Sequence, residues 1–145
     1  MKCTRIDLDS WDRGKLFQFY INNMRIVMSL TVEISVTLLD TYIKDHHLKF
    51  YPSMLWVVSR VINAHDEFKY SWDEEGHLIK WDSVSPSYAD FHQEDQNFTK
   101  LVTEYSDDLF EFHARFLADR ERYKNARAVM ERQPPNFLTR PVCHG

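Results

Sequence analysis

From Arg25 to Thr37 the chain alternates. Ile26, Met28, Leu30, Val32, Ile34 and Val36 take consecutive even positions, while Arg25, Ser29, Thr31, Glu33, Ser35 and Thr37 fall at odd ones, with Val27 the single apolar residue among them. Successive side chains of a β-strand point to opposite faces, so this period of two predicts one long strand with the even side chains on a buried face. A slip of one residue in its register would expose all of them.

The elements around it carry weaker but readable signals. Residues 1–12 read as a short edge strand through Ile6 and Leu8 to Trp11, and Arg13 to Met24 as a first helix carrying Leu16, Phe17, Phe19 and Tyr20. Thr37 to His47 reads as a helix with Leu38, Leu39, Tyr42 and Ile43 on one side. Pro52 suits the first turn of a further helix to Ala64, whose Met54, Leu55, Val57, Val58, Val61 and Ile62 cover most of its circumference and predict deep burial. Phe68–Trp72 and His77–Trp81 flank Asp73-Glu74-Glu75-Gly76 and predict a β-hairpin. Tyr88–His92 and Phe98–Tyr105 read as strands. Ser106 before Asp107 and Asp108 reads as the N-cap of a helix that carries Leu109, Phe110, His113, Phe116 and Leu117 to Tyr123. Gln133-Pro134-Pro135 ends regular structure. Interleaved helices and strands without repeat or linker predict one α/β or α+β domain.

Composition narrows the function classes. A hydrophobic share of 43% with 28% charged residues fits a globular chain, and the 14% aromatic share suits either a core of large rings or an aromatic pocket or interface. A net charge of −4 leaves no footprint for nucleic acid, and Arg120, Arg122, Lys124 and Arg127 alternate with Asp119 and Glu121 as a solvated helix face does. Two cysteines, Cys3 and Cys143, lie at opposite ends, and a disulfide framework would need more. With no apolar stretch near 18 residues, no membrane span is expected and the cytoplasm is the expected location. Gly14, Gly76 and Gly145 are too few and too scattered for a phosphate cradle, a dinucleotide fingerprint or a nucleophile elbow. His65, His77, His92 and His113 fall on separate elements without ligands at metal spacing, so no metal site is expected.

Several segments in order resemble the chloramphenicol acetyltransferase family. They are Trp11-Asp12-Arg13 with Phe17-Gln18-Phe19-Tyr20, then Ser29-Leu30-Thr31 and Lys49-Phe50-Tyr51-Pro52. After them come Trp81-Asp82-Ser83-Val84-Ser85-Pro86-Ser87-Tyr88 with Phe91-His92, and then Phe98, Glu104-Tyr105 and Glu121-Arg122-Tyr123. The resemblance implies an α/β sandwich of mixed sheet and helices, of the coenzyme A-dependent acyltransferase type. It further implies a homotrimer that moves acetyl from acetyl-coenzyme A to a hydroxyl of chloramphenicol, with no metal. By the same resemblance Phe19, Tyr20, Met24, Met28 and Phe98 match positions lining the antibiotic pocket, although each also suits a plain packing surface. Arg13 matches an arginine that pairs with an aspartate and supports the catalytic loop.

The family's base is a histidine in His-His-x-x-x-Asp-Gly, which removes the hydroxyl proton, and a serine in Asn-x-Ser-x-x-Pro-Trp donates to the oxyanion. Here the His46-His47 pair is followed by Leu48-Lys49-Phe50, in a helix-end setting, and Asp-Gly does not occur. The expectation is therefore a truncated chain, inactive as written, with no catalytic residue in it. Two other outcomes stay open: a non-catalytic remnant that binds an apolar ligand or pairs with trimeric relatives, and one piece of a two-chain enzyme. The expected domain covers residues 1–137. Residues 138–145 are expected to be a frameshift tail, because a shifted frame beginning at the third base of the Leu138 codon can encode most of the family's Asn-x-Ser-x-Leu-Pro-Trp run. Cys143 and His144 would then be accidental.

Overall fold

The computed structural model describes residues 2–24 and 26–126. Its helices and antiparallel sheets make a mixed α/β fold, in the order β1 (Cys3–Arg5), α1 (Gly14–Asn23), α2 (Thr37–Asp45), α3 (Phe50–Ala64), β2 (Tyr70–Trp72), β3 (Leu78–Trp81), β4 (Ser87–His92), β5 (Asn97–Val102) and α4 (Leu109–Tyr123). The first sheet runs β1-β3-β2, antiparallel throughout, with Cys3 opposite Trp81 and Tyr70 opposite Lys80. Asp73 closes the hairpin turn by accepting from the N–H groups of Glu75 and His77, and Gly76 supplies the left-handed φ of 82° that the turn needs. Strands β4 and β5 form a second hairpin, from Ser87 opposite Val102 to His92 opposite Asn97.

Two apolar clusters hold these parts together. Ile79, Trp81 and Val84 pack with Ile62 of α3, while Tyr88, Leu101 and Phe116 pack with Leu55, Leu117 and Tyr123. Helix α4 buries Leu109, Phe112, His113 and Phe116, a spacing of three, four and seven that marks one helical face. Phe112 has no exposed surface, and the sequence reading had not singled it out.

Four expectations need correction. Strand β1 stops at Arg5, because Asp7 turns the chain: its carboxylate accepts from Asp9 N–H and the Ser10 hydroxyl, and its carbonyl accepts from Trp11 N–H. Helix α3 buries Pro52, Ser53 and Ser59 and leaves Val58 and Val61 exposed. The two hydroxyls donate to the Lys49 and Leu55 carbonyls, so small polar residues go inside at no cost in unmade hydrogen bonds and let the neighbouring backbone approach. The N-cap of α4 is Asp108, which accepts from Glu111 N–H at 2.7 Å, whereas Ser106 accepts from Asp108 N–H and donates to the Glu111 carboxylate. Finally, residues 26–36 form no strand, and Leu30 is 81% exposed. Alternation decides which face a strand would bury, but a strand exists only where another backbone supplies its ladder, and no strand among the described residues pairs with this one. The tail over 138–145, with Cys143 and His144, lies outside the described residues, as do Arg25, Arg127 and the Gln133-Pro134-Pro135 ending.

The entry into α1 is tight. A Cβ on Gly14 would sit 1.8 Å from the Leu8 carbonyl oxygen, while Gly14 N–H donates to Trp11 at 2.7 Å. Gly14→Ala is expected to destabilise the fold by about 1–3 kcal/mol, since backbone rather than a flexible side chain must yield. A urea midpoint equal to that of the parent chain would show that the 8–14 turn relaxes freely.

Candidate ligand-binding site

Helix α1 is anchored by one ring. Phe17 packs against Trp11 and Trp72 at 5.7 and 6.0 Å between ring centroids, and Trp11 continues to Tyr70 at 5.6 Å. With Phe17 turned to the first sheet, Phe19 and Tyr20 fall elsewhere on the helix, 52% and 43% exposed, their rings edge to face at 6.0 Å. Met24 follows at the helix end, its N–H donating to the Tyr20 carbonyl, and Met28 lies exposed on the segment that joins α1 to α2. Phe98 stands on β5 opposite Phe91, half exposed. The structure thus gathers Phe19, Tyr20 and Met24 along one helix and holds Met28 and Phe98 on other segments. Three clefts of the molecule are lined by different residues.

Arg13 borders a cleft of about 410 Å³ with Trp11, Phe17, Asp66, Glu67 and Tyr70. Its side chain makes no ion pair among the described residues, and the nearby Asp66 is already engaged by Lys69 at 2.7 Å and Lys80 at 2.8 Å. Hydrogen bonds from Lys69 and then Lys80 bring the Asp66 carboxyl down to about 2.

Several of the described histidines have structural occupations. His46 stacks on Tyr42 at 4.0 Å and donates from Nδ1 to the Tyr42 carbonyl at 2.8 Å, while His47 takes a left-handed φ of 56° just beyond the end of α2. The Thr99 hydroxyl gives its one hydrogen to the Ala126 carbonyl, so His92 Nε2 must donate to Thr99. His113 accepts at Nε2 from Lys49 N–H. His77 departs from expectation, for its Nδ1 lies 3.2 Å from Asp73 and 3.4 Å from Glu75, and the ligand atoms of the three lie within 4.8 Å of one another. The hairpin turn, not ligand spacing along a helix, brings them together.

A further cleft, of about 340 Å³, was not visible in the sequence. Lys49, Tyr51 and Pro52 form one wall, Tyr88 to Phe91 another, and Phe116 and Arg120 of α4 a third. Tyr88 stacks on Phe116 at 4.7 Å, with Tyr51 against both rings. Thr103 gives its hydroxyl hydrogen to Asp119, so the Tyr88 phenol must donate to Thr103, and a directed chain Tyr88–Thr103–Asp119 results. Burial first, and the Asp119 charge after it, push the Tyr88 phenol above its usual range, so it stays protonated and donating. Arg120 pairs with Asp90 at 2.8 Å. Only the β4–β5 register, which sets Tyr88 opposite Leu101 and diagonal to Thr103, reveals this network.

The family model described as chloramphenicol acetyltransferase matches residues 1–140. A chloramphenicol acetyltransferase of Clostridium butyricum is 37% identical over 86% of this chain and 57% of its own length. One of Clostridium perfringens is 35% identical over 95% of this chain and 64% of its own length, and chloramphenicol acetyltransferase 3 of Escherichia coli is 36% identical over 86% and 58%. The chain therefore spans about 57–64% of the length of these relatives. A solved chloramphenicol acetyltransferase structure superposes with a TM-score of 0.75 at 22% identity, covering 92% of this chain and 60% of that one, and shares the fold.

Proposed function

Because the chain belongs to the chloramphenicol acetyltransferase family, we propose that it contributes the acceptor-binding side of an acetyl transfer from acetyl-coenzyme A to a hydroxyl of a chloramphenicol-like molecule, and that alone it binds without turning over. The observation that supports this most directly is the α1 surface. Phe17 takes the packing duty toward the sheet, which leaves Phe19, Tyr20 and Met24 uncommitted and available to an aromatic ligand. Met28 and Phe98 belong to the same proposed wall, and Arg13, which makes no ion pair among the described residues, borders a cleft to which a carboxylate could be brought. Homotrimer assembly and a cytoplasmic setting are part of the same proposal. So is a two-chain enzyme as a second reading, favoured by the exposed apolar row from Ile26 to Ile34, which another segment could cover.

Isothermal titration of the chain with chloramphenicol tests the binding half. Binding is expected, and Tyr20→Ala is expected to weaken it about tenfold, as the loss of a half-buried ring contact does. Equal affinity of parent and variant would remove α1 from the site, and no heat in either would remove the binding proposal.

A further inference from the structure

His113 sits where helices α3 and α4 meet, 7% exposed, and its Nε2 accepts the Lys49 N–H at 2.9 Å. Lys49 is the N-cap of α3 and lines the 340 Å³ cleft, while Phe116 and Arg120, one and two turns further along the helix that carries His113, line it from α4. One hydrogen bond therefore ties the two sides of the cleft together. It requires a neutral ring with its hydrogen on Nδ1, because a nitrogen that accepts cannot carry a proton. We propose that His113 is a pH-operated latch: neutral, it holds the start of α3 against α4; protonated, it releases Lys49 and loosens the cleft.

Protonation is disfavoured in the closed state from each direction. The cation would lie at the positive end of the α3 dipole, would turn Nε2 into a donor facing a donor, and would be largely withdrawn from water. The charge that acts on the ring is that of Lys49, and among the described residues no carboxylate acts on it. From α2, His46 engages Tyr42 and, at 5.8 Å, Phe110. Burial first and Lys49 second accordingly hold the imidazole below its ordinary value. A base whose closed-state value is depressed favours closure above its ordinary value, and that preference is lost as pH falls below it. The latch thus opens with acidification below the ordinary histidine value. His113 is a positioning residue, acting on the cleft through the Lys49 backbone.

Nuclear magnetic resonance of the full chain tests this. The protection factor of the Lys49 amide, corrected for the intrinsic pH dependence of exchange, is expected to fall at least tenfold from pH 7.5 to pH 5. The fall should follow the His113 ring titration, with the Tyr51–Phe116 cross-peaks weakening in step. His113→Gln, whose amide oxygen accepts without titrating, is expected to keep Lys49 protection level across the range. Flat protection in the parent chain, or the same fall in the glutamine variant, overturns the proposal. If that variant does not fold, the parent titration still decides, because a His113 value at or above the ordinary one is incompatible with a latch that closes on the neutral ring.

Discussion

Supplied with acetyl-coenzyme A and chloramphenicol, the purified chain is expected to release thiol no faster than a protein-free control. Attack of a hydroxyl on a thioester needs a base for the hydroxyl proton and a donor for the oxyanion. Among the described residues no histidine stands on the α1 wall. His46 is committed to the end of its own helix, His77 to the hairpin turn, His92 to Thr99 and His113 to Lys49. The sequence contains neither His-His-x-x-x-Asp-Gly nor Asn-x-Ser-x-x-Pro-Trp. General-base assistance contributes about 10²–10⁴ in rate, and one oxyanion donor about 10²–10³. Absence of both leaves only whatever proximity supplies. A thiol-release rate near that of a full-length family member would mean that another group, such as the exposed His65 imidazole, takes the hydroxyl proton.

The second large effect concerns stability. Phe112→Ala is expected to cost about 3–5 kcal/mol, the range for emptying a fully enclosed phenylalanine site, whereas Leu30→Ser should change stability by less than about 0.5 kcal/mol. Phe112 is wholly enclosed and occupies the centre of the α4 face, between Leu109 and Phe116. Leu30 is 81% exposed, so neither side-chain contact nor ladder bond is lost with it. Denaturant midpoints of the two variants measured together decide the matter. A loss at Leu30 as large as that at Phe112 would show that the 26–36 segment is enclosed in solution, through assembly or through an alternative pairing of the chain.

What could be read from the sequence follows the range of the interactions involved. Helices α1, α2 and α4 and the β2–β3 hairpin depend on neighbours a few residues away, and their periodicity and turn chemistry announced them, whereas β4 and β5 were legible as strands but not as a pair. The burial of Ser53 and Ser59 was hidden, because a serine whose hydroxyl bonds its own helix reads as polar yet behaves as a small core residue. The 26–36 segment misled for a related reason, as its pattern is local but the backbone and the layer that would complete it are not. At the site, resemblance pointed to Phe19 and Tyr20 on α1, while the Tyr88–Thr103–Asp119 chain depended on a strand register and a helix crossing that no single stretch of sequence contains.

The uncovered row from Ile26 to Ile34 also makes stability a property of the solution as well as of the chain. Whatever binds that row in the folded state, whether a second copy, a separate polypeptide or an amphiphile, draws the folding equilibrium toward the native form by mass action. Occupancy then scales with the concentration of the binder. A dilute sample and a crowded one would hold different folded fractions of the same molecule.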